Sequence, residues 1–134
     1  MPKITKINHI AVAVSDIESS LSFWRDALGL ELAELREVPA ESAQIAFLPV
    51  GGTEVELVRP TTDDSGLAKY IAKNGPGMHH ICLETDDIEG MMAQLKEMGV
   101  QMINESPRTG ADGKRYVFIH PKSTGGVLVE LYQI

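Results

Sequence analysis

The chain has little cysteine and little positive charge, and it contains no long apolar run. A single thiol, Cys82, leaves no intramolecular disulfide and rules out a cysteine-rich zinc site. Twelve lysines and arginines face nineteen aspartates and glutamates, for a net charge of −7 with no basic run, so binding nucleic acid by counterion release is not expected. The stretch from Ile10 to Val14 is far too short to span a bilayer or to act as a signal core. A cytoplasmic chain that does not engage membranes is therefore expected. The acidity does not point to an anionic substrate. No segment is of low complexity.

What remains is an ordinary globular composition, 43% hydrophobic and 23% charged. At 134 residues the chain suits one domain or two very small fused modules, and it buries roughly two-thirds of its unfolded surface. The informative comparison is of the chain with itself. Ile7-Asn8-His9-Ile10-Ala11-Val12 is echoed by Met78-His79-His80-Ile81-Cys82-Leu83, so that His9 falls on His80 and Asp16 on Asp87, each 71 residues on. Ala46-Phe47 falls on Val117-Phe118 at the same offset. Val55-Glu56-Leu57 falls on Val129-Glu130-Leu131 at an offset of 74, the added residues lying in the turn around Ser123 to Gly126.

Each copy reads as βαβββ. The first predicts strands at about Ile7–Val14, Leu30–Val38, Gln44–Pro49 and Glu54–Arg59. Its helix runs from about Asp16 to Leu28, with Ser15 as cap and Gly29 as stop. The second copy predicts strands at about His80–Thr85, Gln101–Asn104, Arg115–His120 and Val127–Tyr132, with a helix at about Asp87–Met98. Ile17, Leu21, Trp24 and Leu28 share one helical face, as do Ile88, Met91, Leu95 and Met98. Both stripes read as packing on a sheet. Gly51-Gly52 and Gly125-Gly126 read as hairpin turns. A linker helix capped by Ser65 and ended at Gly75 has no counterpart in the first copy. The expectation is one α+β domain over residues 1–134: a first module at about 4–60, a linker at about 63–75 and a second module at about 76–134.

Four polar residues sit oddly in apolar strands: His9, Glu56, His80 and Glu130. Taken singly, each has an ordinary explanation, a hydrogen-bonded histidine or a solvated carboxylate. Taken together they recur as one His and one Glu at matching places in both copies, and a buried carboxylate is costly without a partner. Two imidazoles and two carboxylates suit a divalent transition ion. His79 is read as non-ligating because its repeat counterpart is Asn8. Cys82 shares strand parity with His80 but reads as a small buried apolar residue.

At these residues the chain resembles the vicinal oxygen chelate superfamily, whose paired βαβββ modules form a cupped mixed sheet around a metal. Within it the resemblance is to the methylmalonyl-CoA epimerase family, carried above all by His120-Pro121-Lys122-Ser123-Thr124-Gly125-Gly126-Val127-Leu128-Val129-Glu130-Leu131. The resemblance implies His9, Glu56, His80 and Glu130 as ligands of a divalent ion, cobalt before nickel, manganese, zinc, iron or magnesium. It implies an acyl-CoA substrate and a homodimer. The chemistry implied is inversion of the α-carbon of methylmalonyl-CoA, or a similar 2-substituted malonyl thioester, through an enolate. Glu130 is the first base in that reading. The family's other base follows a proline, and the ungapped match puts Ala40 there, so Glu41 is the nearest substitute. Lys122, Arg115 and Lys114 are the cationic candidates for CoA phosphates, Lys114 reading rather as ordinary solubility charge, with His120 and Ser123 either contacting substrate or shaping the turn. The rival readings are a glyoxalase I-type lactoylglutathione lyase, an extradiol dioxygenase, which the fourth ligand disfavours, and a non-catalytic metal or small-molecule binding module, which the four ligands disfavour.

Overall fold

The computed structural model describes residues 1–110 and 112–134. The chain forms two compact units: a central unit, Ile10–His79, and a terminal unit that joins Met1–His9 to His80–Ile134. The elements are β1 (Ile4–Ala13), α1 (Ile17–Leu21), β2 (Glu34–Val38), β3 (Ala43–Val50), β4 (Thr53–Pro60), α2 (Gly66–Asn74), β5 (Gly77–Thr85), α3 (Ile88–Glu97), β6 (Arg108–Thr109), β7 (Arg115–Ile119) and β8 (Val129–Gln133). The chain passes from one unit to the other inside β1 and again inside β5.

In the central unit the strand order is β2-β3-β4-β1, and in the terminal unit β1-β5-β8-β7-β6. Each copy therefore pairs its first strand with its fourth, the fourth with the third and the third with the second, as a βαβββ repeat requires. The β2–β3, β3–β4, β6–β7 and β7–β8 pairs are antiparallel, and β5–β8 is parallel. The fold is α+β with mixed pairing.

Alternation along the strands puts alternate residues on opposite faces. In the central unit Val14, Ile17, Leu21, Ala46, Leu48 and Leu57 form one core, beneath α1. Ala11, Ala13, Ala43, Ile45 and Val58 form a second, against Leu67, Tyr70 and Ile71 of α2. In the terminal unit α3 lays Ile88, Met91 and Met92 on Val117, Ile119 and Leu131. The first nine residues are tied to the end of β5 and the residue after it, by Thr85 Oγ1 donating to Lys3 O (2.9 Å) and Lys3 N donating to Asp86 Oδ1 (2.8 Å).

Several expectations are corrected. The first helix is capped by Asp16, not Ser15: the Asp16 side chain accepts from Ser19 N, and a carboxylate there also meets the positive end of the helix. After Leu21 the helix widens into π turns over Ser22–Ala27, with Leu28 N bonded to Phe23 O. The wider turn takes Leu28 off the buried stripe, and it is 54% exposed. Met98 likewise lies beyond the end of α3 and is exposed, while Met92 is buried in its place. Gln101–Asn104 does not form a full strand. It runs beside β7 through Ile103 N to Phe118 O and His120 N to Gln101 O, but the Asn104 side chain, not a backbone carbonyl, accepts from Phe118 N, which ends the ladder. Gly125-Gly126 is no two-residue hairpin. The β7–β8 connection contains a 3-10 turn at Pro121–Ser123, and both glycines take positive φ to bring the chain back. Gly51-Gly52 is such a hairpin, with Val50 paired to Thr53.

Leu57 is fully buried. Leu57→Ala is expected to cost about 2–5 kcal/mol, and Leu28→Ala no more than about 0.5 kcal/mol. Guanidinium unfolding of both variants checks that Leu57 of β4 belongs to the core beneath the first helix and Leu28 does not.

Candidate active site

The candidate site lies on the terminal unit's sheet, on the face away from α3. Leu131 and Val117 point to α3, so their neighbours Glu130 and Phe118 point to the other face. Parallel register sets Cys82 beside Glu130, and antiparallel register sets Phe118 opposite it. Glu130 Oε1 lies 3.2 Å from His80 Nε2 and 3.4 Å from His9 Nε2. The two Nε2 atoms are 3.2 Å apart. The imidazoles meet edge to face, and Phe118 meets the His80 ring edge to face on another side.

Three of the four expected ligands thus converge. A metal with bonds of about 2.1 Å holds neighbouring donors roughly 3.0–3.4 Å apart, so the triangle has a fitting size. Two imidazole nitrogens and a carboxylate oxygen suit a borderline divalent transition ion. Cys82 is fully buried, and a ligand atom of it, one of His9 and one of Glu130 all lie within 4.8 Å of one another. The fully buried thiol is thus nearer the cluster than an apolar filler needs to be.

Glu56 is also buried, on β4 of the central unit opposite Phe47 of β3. Glu41 does not lie on a strand: it ends the 3-10 turn Pro39–Glu41, is exposed, and precedes Ser42, which takes positive φ. His79 packs edge to face on Tyr70 of α2, within the central unit. His120 Nδ1 accepts from Lys122 N, and Ser123 Oγ accepts from Gln101 N, so both side chains shape the turn. Lys122 is exposed on that turn. Arg115 pairs with Glu89 of α3 at 3.2 Å.

Sequence reasoning missed two residues behind His9. Its Nδ1 lies 2.7 Å from Asn8 Oδ1, and Asn8 Nδ2 donates to Glu84 Oε1 at 2.9 Å. The signal for Asn8 was its place beside a singled-out histidine, where side chains that orient ligands are found. Tyr132, two residues on from Glu130, was also missed. Its hydroxyl donates to Asp112 Oδ2 at 2.7 Å. Burial, then that hydrogen bond, pushes the phenol above its ordinary value.

Burial pushes the Glu130 carboxyl up, but hydrogen bonds from His80 and His9 and their positive charge more than reverse it, bringing it from 4.5 to about 2. Because the folded value is the lower, the stabilisation is fully present above the unfolded value of 4.5 and is lost as pH falls through about 2. In metal-free protein Glu130→Gln is therefore expected to lower the unfolding free energy at roughly pH 5–6. The difference from wild type should narrow below pH 4.5 and close near pH 2, as urea unfolding across that range checks.

Residues 8–118 match the model of the Glyoxalase/Bleomycin resistance protein/Dioxygenase superfamily. The chain is 40% identical to the mitochondrial methylmalonyl-CoA epimerase of Mus musculus over 98% of its own length and 74% of the relative's. It is 37% identical to the ethylmalonyl-CoA/methylmalonyl-CoA epimerase of Cereibacter sphaeroides over 98% and 99% of the two chains. A variant of the Streptomyces coelicolor methylmalonyl-CoA epimerase, solved in complex with 2-nitronate-propionyl-CoA, superposes with a TM-score of 0.89 at 34% identity and covers 98% of each chain. The chain therefore belongs to the methylmalonyl-CoA epimerases of the glyoxalase/bleomycin resistance protein/dioxygenase superfamily.

Proposed function

We propose that this protein is an epimerase that inverts the α-carbon of methylmalonyl-CoA, or of a similar 2-substituted malonyl thioester. The convergence of His9 Nε2, His80 Nε2 and Glu130 Oε1 within 3.4 Å of one another carries the reading. Near-full-length similarity to epimerases of known name supports it.

His9, His80 and Glu130 would hold a divalent ion, with Glu56 as the fourth ligand on the strength of the repeat, in which it matches Glu130. Such an ion, when bound, supplies Lewis acidity that stabilises negative charge on the thioester oxygen. Cobalt is our first choice by resemblance. The rest is proton transfer by the chain's own carboxylates. Inversion needs one group to take the α-proton from one face and another to return a proton to the opposite face, leaving net composition unchanged. Glu130 is proposed as one of these groups in addition to its ligand role, and Glu41 as the other. A positioned carboxylate contributes roughly 10²–10⁴-fold. Lys122 is proposed to meet the CoA phosphates, and His120 and Ser123 to shape the turn that presents it; Arg115 does not serve there, because it shares the α3 face of β7 with Val117 and pairs with Glu89. Among the described residues no helix is long and apolar enough to cross a membrane. A homodimer in the cytoplasm completes the proposal.

The test is proton exchange in heavy water. Metal-loaded protein is incubated with one stereoisomer of methylmalonyl-CoA, and deuterium at the α-carbon is followed together with chirality. Exchange with inversion is expected. Glu130→Gln should lower the rate at least about 10²-fold, and Glu41→Gln by a similar factor. Exchange without inversion would remove Glu41 as the second base. Absence of exchange, with turnover of a glutathione hemithioacetal instead, would replace the epimerase by a lactoylglutathione lyase.

A further inference from the structure

The hydrogen bonds behind His9 form a chain with a fixed sense. Glu84 Oε1 is 2.9 Å from Asn8 Nδ2, Asn8 Oδ1 is 2.7 Å from His9 Nδ1, and His9 Nε2 is 3.2 Å from His80 Nε2. All of these residues belong to the terminal unit. The two ends of an asparagine amide have the same shape and opposite hydrogen-bonding sense. An ionised carboxylate only accepts, so Glu84 requires the NH₂ end of Asn8. The carbonyl oxygen is thereby turned to His9, and it too only accepts. The proton of a neutral His9 ring must then sit on Nδ1, and Nε2 carries the lone pair. The opposite tautomer would need the amide reversed, which would bring two acceptor oxygens together at 2.9 Å.

The geometry points to Glu84 and Asn8 as positioning residues that set the tautomer of neutral His9 and so leave its Nε2 an electron-pair donor, placed to accept from His80 Nε2–H; His9 donates to Glu130 only when its ring is doubly protonated. For metal binding this inference rests on the proposed function. The tautomer itself does not. Glu84 touches no member of the cluster in this scheme and acts through Asn8 alone. The second copy lacks the device: the residue before His80 is His79, which packs on Tyr70 instead.

The test uses the full chain, metal-free and ¹⁵N-labelled, at about pH 9, above the usual imidazole range of about 6.5. Two-bond proton–nitrogen correlation spectra report which ring nitrogen carries the proton. Wild-type His9 is expected to be protonated at Nδ1. Asn8→Leu should shift it toward Nε2–H and weaken Co²⁺ binding, measured by calorimetry, by about 10–100-fold. Glu84→Leu lets the amide turn over and should weaken binding by a smaller factor, about tenfold. The double variant Asn8→Asp/Glu84→Gln keeps an acceptor facing His9 and a donor behind it, and should restore both the tautomer and the affinity. His9 protonated at Nε2 in wild type, or a tautomer unmoved by Asn8→Leu, would overturn the inference. The expected tautomer without Co²⁺ binding would uphold it and overturn the metal reading of the site.

Discussion

A carboxylate in an apolar sheet must be given partners. Glu130 sits between leucine and valine on β8 and is nine-tenths buried, and a carboxylate taken out of water without a counterpart would cost several kcal/mol. The terminal unit is arranged around meeting that cost. Parallel pairing brings β5, and with it His80, alongside β8. The chain's first nine residues bring His9, and their ties to Thr85 and Asp86 hold that segment in place. Among the described residues no buried side-chain nitrogen or oxygen lacks a partner. Three polar groups that would each destabilise the sheet alone become mutually supporting, and the same three donors face one another at a spacing a cation can use.

How much of this was readable beforehand follows from what each signal depends on. The duplication, the pairing of His9 with His80 and the placement of both glutamates depend only on residue identity at a fixed offset, and the strand order bears the repeat out. Caps and stops were readable where one residue type dominates: Ser65 caps α2, and Gly29 turns with positive φ after the first helix. Ser15 and Asp16 are both good caps, and the choice between them turned on where the hydrogen bond falls. The π turns after Leu21 left no trace in the apolar pattern, because Leu28 fits a 3.6-residue stripe on paper. Asn104 reads as the end of a strand, but its side chain captures a backbone donor that only the folded register brings near.

The two copies have diverged where function and packing compete. At one position copy one has Asn8 and copy two has His79. Asn8 turns inward to the histidine beside it and is held by Glu84. His79 turns to Tyr70 of the linker helix, whose hydroxyl also donates to Met78 O. The linker helix exists in one copy only, so the second copy's residue was taken up in seating it. Pseudo-symmetry therefore explains the shared histidine and glutamate and fails for what stands behind them. A repeat in sequence licenses equal donors, not equal support.

The cluster also limits what its own carboxylate can do. Hydrogen bonds and charge from two imidazoles bring Glu130 to about 2, which keeps it ionised wherever the protein works. That suits a ligand. It suits a base less well, since general-base efficiency is greatest when the group's pKa lies near the working pH. Inversion therefore needs, beside Glu130, a second carboxylate outside the triangle, one not held down by two imidazoles. The segment from Pro39 to Ser42, between β2 and β3, is a 3-10 turn closed by a left-handed serine, with Ala40 where the resemblance implies a base and Glu41 one residue on. On a strand one residue reverses the side chain's direction, but on a 3-10 turn it rotates it by about a third of a revolution. The turn thus spares Glu41 the alternation that a strand would impose.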